Sequence, residues 1–108
     1  MDKREARREF KLRKTPKGVF AVRCTATGEV WVGGSTHLDS AKNGLWYQLR
    51  NGLHRNQRLQ AAWNARGEAA FAFEIVEELD PELAPLLVGD TLGERSQHWL
   101  KAMGAAAV

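Results

Sequence analysis

Gly18-Val19-Phe20-Ala21-Val22-Arg23-Cys24, then Thr25-Ala26-Thr27-Gly28, then Glu29-Val30-Trp31-Val32-Gly33 is the run from which the architecture follows. Its flanks are rich in β-branched and aromatic side chains, which pack well on a pleated surface. The polar quartet between them ends in glycine, the residue that turns a chain most cheaply. A β-hairpin is predicted, with strands over 18–24 and 29–33.

Beyond the hairpin, Gly33-Gly34-Ser35 leaves the second strand. Leu38, Ala41, Leu45, Trp46 and Leu49 then recur at helical intervals, with Gly52 as the stop. Residues 55–66 repeat the pattern through Leu59, Ala62 and Trp63, with His54 opening the helix and Gly67 closing it. Phe71, Phe73 and Ile75 alternate with Ala72, Glu74 and Val76, so a third strand is expected with the first set inward, ended by Asp80-Pro81. Pro81–Asp90 holds two prolines and is expected to contain only a short helical turn. A last helix, capped by Asp90 or Thr91, buries Leu92, Trp99, Leu100 and Met103. The fold class is α+β: a small three-stranded antiparallel sheet, hairpin plus third strand, packed with three to four helices. Residues 18–103 form one domain, residues 1–17 a basic helix or arm, and residues 104–108 a frayed tail.

The chain has 108 residues, 44% of them hydrophobic, with four tryptophans, enough for a real core. Its one cysteine, Cys24, excludes an internal disulfide and a cysteine-based zinc cage. No apolar run approaches the ~18 residues of a membrane helix. The charged start is unlike a signal peptide, so a soluble, cytoplasmic protein is expected. Net charge is +3 but unevenly spread: +5 over residues 1–17, +4 over 18–67 and −6 over 68–108. A basic front favours polyanions through counterion release.

The hairpin, followed by His54, Asn56, Leu59-Gln60, Trp63, Gly67, Phe71 and Phe73, resembles the GIY-YIG nuclease superfamily over residues 18–100. The resemblance implies a fold that cuts phosphodiesters with one divalent metal ion. It implies a tyrosine in each hairpin strand, an arginine on the first helix eight residues past the second-strand glycine, and a His or Tyr one turn further on. A metal-binding glutamate is implied on the last helix. Here those positions hold Phe20, Trp31, Ala41, Leu45 and Ser96, and none carries the group that the chemistry needs. A metal-bound water wants a proton shuttle, a scissile phosphate wants a cation, and a hard cation wants a carboxylate. The chain therefore reads as a degenerate member, with no catalytic residue, no metal ligand and no cofactor.

The function expected is non-specific binding of nucleic acid, DNA or RNA. Lys42, Arg50, His54, Arg55, Arg58 and Arg66 would form a groove, and Arg4, Arg7, Arg8 and Lys11 a trailing basic arm. His37, His54 and His98 share no ligand spacing, so no metal site is expected from them. Trp31 or Trp46, beside Lys42, would serve for base stacking if exposed. Two alternatives stand beside this reading. One is a weak magnesium- or manganese-dependent nuclease using Lys42 and Glu94 in relocated roles. The other is a protein-interaction module. Oligomeric state is left open.

Overall fold

The computed structural model describes residues 16–108. The elements are β1 (Gly18–Cys24), β2 (Val30–Ser35), α1 (Leu38–Arg50), α2 (Gln57–Arg66), a 3-10 turn (Glu68–Ala70), β3 (Phe71–Glu78), α3 (Pro85–Met103) and β4 (Ala106–Ala107). The strand order is β3-β1-β2-β4. β1 pairs antiparallel with both β2 and β3, as the alternation predicts, and is buried at every position except Arg23.

Strand geometry sends successive side chains to opposite faces. Phe20, Val22, Cys24, Trp31 and Phe71 therefore meet Leu38, Leu45, Trp46 and Leu49 of α1 and Leu59 and Trp63 of α2 in the larger core. Aromatic rings dominate it: Phe20 stacks on Phe73 at 5.1 Å, and Trp46 meets Trp63 edge-on at 5.3 Å. On the other face Val19, Ala21 and Val32 pack under Val76, Trp99, Leu100 and Met103. The sheet thus separates an α1–α2 layer from α3.

The expected three-stranded antiparallel sheet is corrected to four strands, mixed in direction. The extra strand comes from the residues read as a frayed tail. Gly104, with φ 59° and ψ 38°, closes α3 in the left-handed region that only glycine enters freely. The chain then turns so that Ala106 and Ala107 lie parallel to Trp31 and Val32. An alanine run has no strand signal of its own; the free edge of β2 supplies the pairing.

Three further readings change. α3 begins at Pro85, earlier than the expected cap at Asp90 or Thr91, because proline is well suited to the first helical position. Ile75 shares the inner face of Phe71 and Phe73, as its pairing with Phe20 requires, but is 47% exposed rather than buried. A bulge shifts the register, pairing Val19 with Glu77 but Phe20 with Ile75. The extra residue, Val76, breaks the alternation and turns Glu77 toward α3. There its carboxylate accepts from Arg95 Nε and Trp99 Nε1, each at 2.8 Å. Finally, Asn56 rather than His54 opens α2: its Oδ1 accepts from the Leu59 N–H at 3.1 Å.

Candidate functional site

Between the hairpin and α1 lies a cleft of about 400 Å³, lined by Phe20, Gly34, Ser35, Ala41, Leu45, Gln48, His54, Arg55 and Val108. Local sequence builds each wall. Phe20 faces Gly33 across the β1–β2 ladder. A Cβ on Gly33 would stand 2.9 Å from Phe20 Cζ and 3.3 Å from Val108 Cβ, so the ring and Val108 can close over β2 only because no side chain is there. Ala41, Leu45 and Gln48 follow one another at four and three residues on α1 and so share a helix face. His54 and Arg55 come from the loop into α2.

That loop is held by a polar network. The His54 N–H donates to Gln60 Oε1 at 3.1 Å, and Gln60 Nε2 donates to the Leu49 carbonyl at 2.8 Å. The Asn56 N–H donates to His54 Nδ1 at 3.0 Å, while Asn56 Nδ2 donates to the Ala107 carbonyl at 2.7 Å. With Nδ1 accepting, a neutral His54 carries its proton on Nε2. Burial, and after it the neighbouring Arg55 charge, holds the His54 pKa below the ordinary histidine value, which favours that neutral form.

The positions that the nuclease resemblance singled out are brought partly together. Phe20, Ala41 and Leu45 line the cleft. Trp31 is 1% exposed and packs at 6.4 Å from Phe71, inside the core. Ser96 sits on α3, across the sheet, where a Cβ on Gly34 would meet its Oγ at 3.0 Å. Glu94 lies on the outer surface of α3 beside Asp90, Gln97, His98 and Lys101, on the opposite side of the sheet from Lys42. Trp31 and Trp46 are 1% and 5% exposed, so the condition set for base stacking is not met and both belong to the core.

Of the basic groove residues, only His54 and Arg55 enter the cleft. Arg50 Nε bonds Glu68 at 2.6 Å and Arg58 Nε bonds Glu29 at 3.0 Å. Lys42 Nζ lies 5.7 Å over the Trp46 ring. Arg55 and Arg66 make no ion pair among the described residues. Arg4, Arg7, Arg8 and Lys11 lie outside the described residues. Sequence reasoning read Ser35 only as part of the turn leaving β2 and missed Gln48 and Val108. Gln48 was findable, three residues past Leu45 on the face already identified. Val108 carried no signal.

A hard divalent cation takes oxygen ligands, carboxylates foremost. Among the described residues no aspartate or glutamate side chain lines the cleft. Among the described residues no group of three or more His, Cys, Asp or Glu is placed to hold a metal ion. The described residues do not fit the metal that the nuclease resemblance implies.

No family model matches the chain, and no curated protein does. Two solved structures share its architecture. The catalytic domain of homing endonuclease I-TevI has a TM-score of 0.70 at 26% identity, covering 82% of this chain and 88% of that one. The catalytic domain of intron endonuclease I-TevI, solved as a glutamate-to-alanine mutant, has a TM-score of 0.71 at 24% identity, covering 83% and 86%. The fold of this chain is therefore GIY-YIG-like, the architecture of an endonuclease catalytic domain.

Proposed function

We propose that this protein binds nucleic acid without regard to sequence and does not cut it. The observation that carries the reading is the make-up of the cleft. The hairpin and α1 contribute Phe20, Gly34, Ser35, Ala41, Leu45 and Gln48, and among the described residues no carboxylate and no phenol lines it. Beside a neutral His54 N–H stands Arg55, which has no acidic partner among the described residues. A site so lined can hold an anion but offers neither a metal ligand nor a strong proton acceptor to drive hydrolysis. The similarity to an endonuclease catalytic domain supports nucleic acid as the polyanion.

Fluorescence anisotropy with labelled DNA and RNA at two salt concentrations tests the binding. Plasmid nicking in magnesium or manganese tests the chemistry. Retention that weakens with salt, together with intact plasmid, is expected. Failure to bind at low salt removes the first half of the reading, and metal-dependent nicking removes the second.

A further inference from the structure

The cleft gives an apolar ring little to rest on. Phe20 and Leu45 line it, but they are 7% and 6% exposed and belong to the core. What a ligand meets instead is polar. Ser35, Gln48, His54 and Arg55 also line the cleft, and each can donate a hydrogen bond. They come from three places in the fold: the end of β2, α1 and the loop into α2.

None of these four donors is engaged within the described residues. Ser35 Oγ accepts from the His37 N–H at 3.0 Å, which leaves its own proton to donate. His54 Nδ1 accepts from the Asn56 N–H, so the neutral ring carries its proton on Nε2. Among the described residues nothing holds that Nε2, the Gln48 amide or the Arg55 guanidinium. By contrast, Arg50, Arg58, Asn56 and Gln60 direct their donors to Glu68, Glu29, the Ala107 carbonyl and the Leu49 carbonyl. Unpartnered donors around one cleft, with no acidic side chain lining it among the described residues, call for a ligand made of acceptors.

A phosphomonoester meets that demand better than a phosphodiester. It carries three terminal oxygens and about −1.5 to −2 charge near pH 7, against two free oxygens and one charge on an internal phosphate. An internal phosphate also requires the strand to enter the cleft and leave again, whereas an end need only enter. From these four donors we infer that the cleft seats the terminal phosphate of a nucleic-acid strand. Arg55 supplies the charge, and Ser35, Gln48 and His54 supply the further hydrogen bonds. The inference rests on the nucleic-acid reading above and narrows it: strands ending in phosphate are preferred over strands ending in hydroxyl.

The test compares one single-stranded oligonucleotide in three forms: 5′-phosphorylated, 3′-phosphorylated, and with hydroxyls at both ends. Anisotropy at one salt concentration gives the affinities. A phosphate at one end or the other is expected to tighten binding about tenfold, in the range of a hydrogen bond to a charged group. Gln48→Ala changes an exposed side chain that has no partner among the described residues, and should reduce that ratio to about threefold. Arg55→Ala should bring it to about one. Equal affinity for the three forms overturns the inference, as does a preference that survives Gln48→Ala and Arg55→Ala combined. If no form binds, the general reading falls on its own, and the amide spectrum with inorganic phosphate decides this one. Shifts at Ser35, Gln48, His54 and Arg55 would uphold the cleft as a phosphate site, and an unmoved spectrum would end it.

Discussion

Among single residues, the closest constraints sit where backbone or ring atoms leave no room for a Cβ. Gly33 is one such position. Its Cβ would press on Phe20 Cζ at 2.9 Å, and the ring cannot retreat because it is stacked on Phe73. Gly33→Ala is expected to lower stability by about 1–3 kcal/mol, the usual cost of forcing extra volume into a packed site. Gly44 gives the opposite expectation. It is helical and exposed, and a Cβ there would meet no atom within 4 Å. Gly44→Ala should stabilise by about 0.5–1 kcal/mol through helix propensity. Urea unfolding of the two variants side by side checks both signs.

Glu77 gives a pH-dependent expectation. Hydrogen bonds from Arg95 and then Trp99 hold its carboxyl below the ordinary glutamate value of 4.5. The unfolded chain then binds the proton more readily than the folded one, so this contribution is complete above that value and is lost as pH falls through the folded pKa. Glu77→Gln keeps an acceptor for Trp99 but loses the charge. It should cost about 1 kcal/mol at neutral pH and flatten the stability profile on the acid side. A profile of the same slope in both proteins would show that Glu77 is not its source.

Among the helices and strands, β4 depends on one side chain from another layer. Asn56 both caps α2 through Oδ1 and ties the Ala107 carbonyl through Nδ2. These roles separate by substitution. Asn56→Asp keeps the cap acceptor and removes the donor, whereas Asn56→Ala removes both. Both variants should speed hydrogen exchange at the Val108 N–H, which donates to the Val32 carbonyl at 3.0 Å. Only the alanine variant should lose the roughly 1 kcal/mol of a helix cap. The same element shows where local sequence ceases to inform. β1, β2, α1 and β3 are legible because their apolar residues repeat with a clear period, and α2 because Leu59 and Trp63 share a face. β4 is not, because Ala106 and Ala107 acquire strand geometry from the edge they join. The start of α3 is hidden because Pro85 looks like a break unless the helix is already known to begin there. The bulge at Val76 is invisible too, since it depends on the Gly18–Glu77 approach across two strands, where any Cβ on Gly18 would collide with the Glu77 carbonyl oxygen. For the cleft, sequence names Phe20, Ala41, Leu45, His54 and Arg55. Which of the cations share one surface is a question only the packing of the loop can answer.

Across the protein as a unit, the sheet sorts charge as well as side chains. Between Thr36 and Gly67, the segment that builds α1, α2 and their connecting loop, Asp39 is the sole acid against Lys42, Arg50, Arg55, Arg58 and Arg66. Among the described residues, β3, the loop after it and α3 carry the remaining acids apart from Glu29 and Glu68. Under the proposed function a polyanion would meet that layer first, but the cations in it are not equivalent. Arg50 and Arg58 are already paired with Glu68 and Glu29. A phosphate that recruits either must compete with a carboxylate, and exposed pairs of this kind are worth at most about 1 kcal/mol each. Arg55 and Arg66 have no such competitor among the described residues. Each phosphate contact contributes nearly one to the slope of log affinity against log salt. Arg55→Ala and Arg66→Ala are therefore expected to lower that slope by about one apiece. Arg50→Ala and Arg58→Ala should change it less, because each frees an acid that then repels the ligand locally without removing an established phosphate contact. A salt titration of all four variants on one oligonucleotide measures the difference. Equal slopes across the set would mean that the ion pairs dissolve on binding and that the layer acts as a uniform field. A larger effect at Arg50 and Arg58 would move the binding surface away from the cleft, toward the Glu68 and Glu29 ends of the two helices.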